Sequence, residues 1–232
     1  MGLTGAGGAL VAIPLFIEFL GMTLKEASVY SLLAVVVASL SNFYHQRTHA
    51  DFKLSLGLIV FSGIGSILSA SYKALLPDFL ISILLAIVSL YSLYSVWRPL
   101  TLGSDQEKNQ KKSLLKTSFI GLFLGGLTTF TGLGGGVLML PILLNIYKMP
   151  QKNAVATSLI VVGVSSLISF TAQLFRAENL VFDNTIVPIL IGVILISYVV
   201  KLMISKLSQK TLTLSRQIIF TVVVLLALLK IF

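Results

Sequence analysis

Cysteine is missing from this 232-residue chain, and charge is scarce: Asp, Glu, Lys and Arg together make up 11% of it. The first absence excludes a disulfide framework, a CxxC redox centre and any thiolate metal site. The second excludes a water-exposed globule, because a chain that is 56% hydrophobic with a mean hydropathy of +0.99 has too little polar surface to cover itself. Histidine is limited to His45 and His49, which have neither cysteine nor paired carboxylates to complete a ligand set, so no metal centre is expected. No nucleophile, base and orienting carboxylate stand together, and no G-x-S-x-G elbow occurs. An enzyme is therefore not expected, nor a cofactor. No basic leader precedes the first glycines, so no cleavable signal peptide is expected either.

What the chain does have is long apolar stretches, over residues 27–43, 54–76, 79–97, 154–175, 185–204 and 217–232. Each approaches the roughly 20 residues that cross a hydrocarbon core about 30 Å thick. Backbone groups in lipid must pair internally, so these stretches read as helices of an all-α polytopic protein embedded in the bilayer. The net charge of +9 does not point to nucleic acid, since the basic residues fall in short loops and do not interleave with aromatics on a soluble face.

The chain also repeats itself. Thr4-Gly5-Ala6-Gly7-Gly8-Ala9, followed by Pro14, returns 127 positions later as Thr131-Gly132-Leu133-Gly134-Gly135-Gly136, followed by Pro141. The register holds without a gap, and 17 of the 47 positions from Thr4 to Ala50 carry the same residue in the second copy. The expected organisation is a first transmembrane repeat over residues 1–97, a cytoplasmic linker over 98–116 and a second repeat over 117–232. The second glycine motif is preceded by an apolar run from Leu114 to Thr129 and the first by three residues only, so the first copy reads as lacking a half-helix.

From Lys116 to Tyr147 the chain is apolar for too long a distance to be one ordinary span, and the glycines divide it into two pieces of about 15 residues each. Either the pieces form a bent span, or they form a re-entrant hairpin. With a hairpin plus three crossings per repeat, the two pseudosymmetric repeats are inverted. Twelve basic residues, among them Arg47, Lys53, Arg98, Lys116, Lys148 and Lys152, then face one side, against Lys25, Lys73 and Arg176 on the other. Full crossings would split the same residues about evenly. The positive-inside rule favours the inverted arrangement with the linker in the cytoplasm.

The glycines admit backbone conformations that a Cβ forbids, and their amides can form an anion-binding nest. The helix that follows each cluster offers unpaired N–H groups and a positive dipole end. Gly5, Gly7, Gly8, Gly132, Gly134, Gly135 and Gly136 are thus candidate anion-binding positions, set against the alternative of close small-xxx-small helix packing. Thr4 and Thr131 are placed to point hydroxyls at the same ligand or at a backbone carbonyl. Ser31 with Ser158, and Ser39 with Ser166, recur in both copies at helical spacing and read as path-lining or interhelical residues. Gln46 and Gln173 sit near span ends as candidate amide donors. Glu18 and His45 are the only tempting proton carriers, and Asn145 stands in the place of Glu18 in the second copy.

The two motifs, Leu3-Thr4-Gly5-Ala6-Gly7-Gly8-Ala9-Leu10-Val11-Ala12-Ile13-Pro14 and Thr131-Gly132-Leu133-Gly134-Gly135-Gly136-Val137-Leu138-Met139-Leu140-Pro141, resemble those of the sulfite exporter TauE/SafE family of membrane transporters. The likeness extends to residues 25–31 and 152–158, where members commonly carry an Ala-x-Gly-Thr-Ser type of pattern. Ala154-Val155-Ala156-Thr157-Ser158 is near that pattern, and Ala27-Ser28-Val29-Tyr30-Ser31 departs by a tyrosine. With the repeats, the resemblance covers essentially the whole chain. It implies a multi-pass inner-membrane permease that moves small sulfur-containing or related organic anions, of the sulfite, thiosulfate, sulfoacetate or sulfonate type; the two repeats add the expectation of alternating access. Ala6, Ala9 and the short first half-helix are departures from the pattern. A proton-coupled carboxylate permease and a non-transporting membrane scaffold are the alternative expectations, and the oligomeric state is not legible.

Overall fold

The computed structural model describes residues 7–73, 75–97, 114–175 and 221. The regular elements among them are helices: α1 (Gly7–Leu20), α2 (Leu24–Gln46) with a 3-10 turn at Arg47–His49, α3 (Phe52–Lys73), α4 (Asp78–Trp97), α5 (Leu114–Thr131), α6 (Gly136–Asn145) and α7 (Gln151–Leu174). α2 with its turn, α3, α5 and α7 are each long and apolar enough to cross a membrane. The expected spans over 185–204 and 217–232 and nearly all of the linker lie outside the described residues.

Local chemistry sets the helix ends. Thr23 caps α2 reciprocally with Glu26: its hydroxyl accepts from the Glu26 amide at 3.3 Å, and its own amide donates to the Glu26 carboxylate at 2.8 Å. α7 starts after Pro150, whose fixed φ and missing N–H suit a helix entry. Starts and stops recur at one offset. α2 begins at Leu24 and α7 at Gln151, 127 residues on. α1 is followed by Gly21 at φ +62° and α6 by Lys148 at φ +52°, again 127 apart. In both turns the next amide reaches six residues back, Met22 N to Phe16 O at 3.4 Å and Met149 N to Leu143 O at 3.1 Å.

Small residues let the helices approach. α3 packs most extensively against α5, parallel to it, along a seam of Ser62, Gly65 and Ser66 against Gly121 and Gly125. A Cβ on Gly65 would strike the Leu122 carbonyl, and one on Gly125 the Ser62 carbonyl, so backbone meets backbone there. Ser66 Oγ donates to the Gly125 carbonyl across the seam at 3.1 Å.

α2 and α7 run antiparallel. At one end Lys73 joins Ser28 of α2 to Gln173 of α7; midway, Gly163 lies against Leu40; at the other end the Asp51 amide donates to Thr157 Oγ1 at 3.0 Å. Ile13, Leu32, Leu58, Leu124, Leu143, Leu159 and Val161 are fully buried between the helices. Leu56, Leu75, Phe79, Leu115 and Phe119 are exposed, as lipid-facing positions require.

Two expectations need correction. The apolar run with the glycine break divides unequally, into 18 residues of α5 and 10 of α6, because the helix stops only at Gly132 and the next one is ended by the left-handed turn at Lys148. Lys73, counted among the loop charges although the stretch over 54–76 contains it, is the last residue of α3 and is buried with 6% of its surface exposed.

Candidate functional site

The glycine break between α5 and α6 is a tight reversal. Gly132, Gly134 and Gly135 have φ of +71°, +71° and +62°, a region costly for any residue with a Cβ. Space demands glycine as well. A Cβ on Gly132 would collide with the backbone of Ser28, one on Gly134 would sit 2.5 Å from Val35 Cγ1, and one on Gly135 would sit 2.6 Å from Thr128 Oγ1. The chain then turns back toward the start of α5: Tyr147, just past α6, hydrogen-bonds through its hydroxyl to Thr117 Oγ1 in the first turn of α5 at 3.0 Å. Burial pushes the Tyr147 phenol pKa up, against the opposing pull of the Thr117 hydrogen bond, so the hydroxyl is neutral in that contact.

The N-terminus of α6 therefore lies inside the helix bundle. Gly136 and Val137 are buried, and a helix leaves its first amides without intrahelical partners. Val35, which touches the Gly134 position, is the twelfth of the 23 residues of α2, so Gly134 stands at the mid-height of that helix, whereas Gly132 abuts Ser28 nearer its start. From α7, Ser166 Oγ lies 3.0 Å from where a Gly134 Cβ would be. Ser166 is fully buried, and its hydroxyl has no hydrogen-bond partner among the described residues. Such an orphan is unusual, because burying a hydroxyl unpaired costs about 1–3 kcal/mol.

A polar network runs from the reversal to Lys73. Ser31 Oγ donates to the Gly132 carbonyl at 2.7 Å and shares its proton with the Ser28 carbonyl at 2.9 Å. Ser28 Oγ donates to the Lys25 carbonyl at 2.7 Å and accepts from Lys73 Nζ at 2.6 Å. Lys73 Nζ also donates to Gln173 Oε1 at 2.6 Å. Gln173 Nε2 passes the chain to Ser169, whose hydroxyl meets Thr129 Oγ1 at 2.7 Å.

The candidate residues are placed unequally. Gly132, Gly134, Gly135, Gly136 and Ser31 meet at the reversal, and Gln173 reaches its edge through Lys73 and Ser28. Thr131 stands there too, but its hydroxyl is committed to the backbone, donating to the Leu127 carbonyl at 2.7 Å and accepting from the Leu133 amide at 3.3 Å. Ser158 donates to the Val155 carbonyl at 2.8 Å within its own helix. Gln46 ends α2 at the opposite end of the bundle from Gln173. Gly7 and Gly8 open α1, and Thr4 and Gly5 lie outside the described residues. No group of His, Cys, Asp and Glu among the described residues is arranged to hold a metal.

Sequence reasoning missed Lys73 and Ser28. The signal for the lysine was present, since the apolar stretch over 54–76 contains it. An ionisable residue inside an apolar span marks a functional candidate in its own right. Ser28 carried no such signal, because Val155 takes its place in the second copy.

Comparison with known proteins follows the same pattern. A family model described as "Sulfite exporter TauE/SafE" matches residues 1–231. A "Probable membrane transporter protein" of Xylella fastidiosa (strain 9a5c) is 28% identical over 176 residues, covering 73% of this chain and 67% of that one. The "Probable membrane transporter protein YunE" of Bacillus subtilis (strain 168) is 26% identical over 217 residues, covering 80% and 78% of the two chains. No solved structure matches.

Proposed function

The chain belongs to the sulfite exporter TauE/SafE family of membrane transporters, and from that premise we propose that it carries a small oxyanion of the sulfite, thiosulfate or sulfonate type across the cell membrane by alternating access. The observation that carries this reading is the buried N-terminus of α6. The first amides, of Gly136 and Val137, precede the first bonded one, Leu138 N to the Gly135 carbonyl at 3.2 Å, glycines leave no Cβ in the way, and the Ser166 hydroxyl, without a partner among the described residues, stands beside them. Donors with a helix dipole behind them at mid-bundle height suit an anion stripped of its water.

Two further features support the architecture. α2 and α7 start 127 residues apart and run antiparallel, as inverted repeats related by an axis in the membrane plane require. The Thr117–Tyr147 contact returns α6 to the end where α5 began, which supports a re-entrant hairpin. Substrate bound at the hairpin tip would face either side according to how the two repeats are tilted. Family membership and the relatives' names indicate a transporter rather than an enzyme.

Anion flux into proteoliposomes tests the proposal, with sulfite, thiosulfate, sulfoacetate, acetate and chloride compared. Saturable flux of a sulfur oxyanion is expected in the native chain. Gly135→Leu, which would drive a side chain into Thr128 from a left-handed residue, should reduce it below about one-hundredth without loss of membrane insertion. Acetate as the preferred ion would favour the carboxylate permease, and silence toward every anion the scaffold.

A further inference from the structure

Lys73 is a buried amine that the glycine site does not require. Its ammonium has three donors. Two are spent on neutral acceptors, Ser28 Oγ and Gln173 Oε1, each at 2.6 Å. Both partners are fixed as acceptors, because the serine hydroxyl donates to the Lys25 carbonyl and the glutamine amide nitrogen to Ser169. No carboxylate among the described residues pairs with Lys73; the nearby Asp78 is bound instead by Lys25 Nζ at 3.1 Å, out at the surface. A lysine withdrawn from water either gives up its proton or keeps it beside an opposite charge, and an anion bound at the reversal would supply that charge.

The place of this cation is specific. Ser28 holds the ammonium with its side chain and abuts Gly132 with its backbone, so one residue separates Lys73 from the reversal. Three helices converge to build the cradle: Lys73 comes from α3, Ser28 from α2 and Gln173 from α7. None of the three polar groups faces lipid, since Lys73, Ser28 and Gln173 are all buried.

Resting on the transporter reading above, we infer that Lys73 is the fixed counter-charge of the transported anion, positioned by Ser28 and Gln173 beside the glycine reversal. The α6 amides supply direction, and the ammonium supplies the full unit of charge. The ligand class follows: a small anion bound at the reversal within the field of the ammonium, with neutral analogues excluded.

The test uses the full chain in detergent and in liposomes of neutral phosphatidylcholine, so that no anionic headgroup competes. Isothermal titration with sodium sulfite, thiosulfate and sulfoacetate gives affinity, and flux gives half-saturation and maximal rate separately. Lys73→Gln should weaken binding and raise half-saturation at least tenfold, while Lys73→Arg stays within about threefold of the native chain. Gln173→Glu keeps the shape of the cradle but neutralises Lys73 from within, and it too should raise half-saturation at least tenfold. That second variant decides the matter if Lys73→Gln does not fold. Unchanged half-saturation in Gln173→Glu or in folded Lys73→Gln overturns the inference while leaving the glycine site standing. Lys73-dependent binding without any flux would overturn the transport reading and keep the anion site, and absence of binding to the native chain would overturn both.

Discussion

Ser166 and Lys148 each hold a conformation or a contact that the protein interior does not reward. The Ser166 hydroxyl makes no bond among the described residues, so Ser166→Ala removes an unsatisfied group and should leave the melting temperature unchanged or slightly raised. If an anion is its partner, the same variant raises half-saturation several-fold; equal half-saturation in the two chains would remove Ser166 from the site. Lys148 sits at φ +52° where the other turn has Gly21 at +62°. A left-handed non-glycine residue is disfavoured by roughly 1–2 kcal/mol, so Lys148→Gly should stabilise the protein by about 1 kcal/mol, read as a rise in melting temperature in detergent. At this scale the sequence was partly legible. Glycines announced the reversal because only they tolerate its backbone. The partners of Ser31 and Lys73 were hidden, because a hydrogen bond between residues about a hundred positions apart depends on how helices pack.

Helices were more legible than contacts. The apolar stretches located α2, α3, α4 and α7 because hydrocarbon thickness imposes their length, and the Thr23 and Pro150 starts follow ordinary capping chemistry. The unequal division of α5 and α6 was not legible, since stops are set by backbone turns that hydropathy does not register. Nor was the role of the glycines in α5. Gly121 and Gly125 serve close packing, the function first weighed for the motif glycines, whereas Gly134 and Gly135 serve a turn. Gly125→Leu would thrust a side chain into the Ser62 carbonyl on α3. It should therefore destabilise the α3–α5 pair by about 3 kcal/mol or more, seen as loss of the monodisperse peak in size-exclusion chromatography. By contrast, Gly21→Ala meets no neighbour within 4 Å, and only its backbone strain, about 1 kcal/mol, should appear.

Across the whole molecule, the decisive question is whether the chain that enters with α5 leaves on the side it came from. Five of the basic residues described, Arg47, Lys53, Lys116, Lys148 and Lys152, lie at the end of the bundle where Asp51 meets Thr157 and Thr117 meets Tyr147; Lys25 and Lys73 lie at the other. That asymmetry is what the proposed hairpin requires, because a full crossing by α5 and α6 would send Lys148 and Lys152 to the side of Lys25. The absence of cysteine makes the test clean, since every thiol introduced is the only one present. Thr48→Cys, Lys116→Cys and Gln151→Cys should all react with an impermeant maleimide from one face of sealed vesicles, and Pro77→Cys only from the opposite face. By the positive-inside rule the first face is the cytoplasmic one. Labelling of Lys116→Cys and Gln151→Cys from opposite faces would replace the proposed hairpin with a broken span, make the two proposed repeats parallel, and remove the in-plane axis on which the proposed alternating exposure of the glycine site depends.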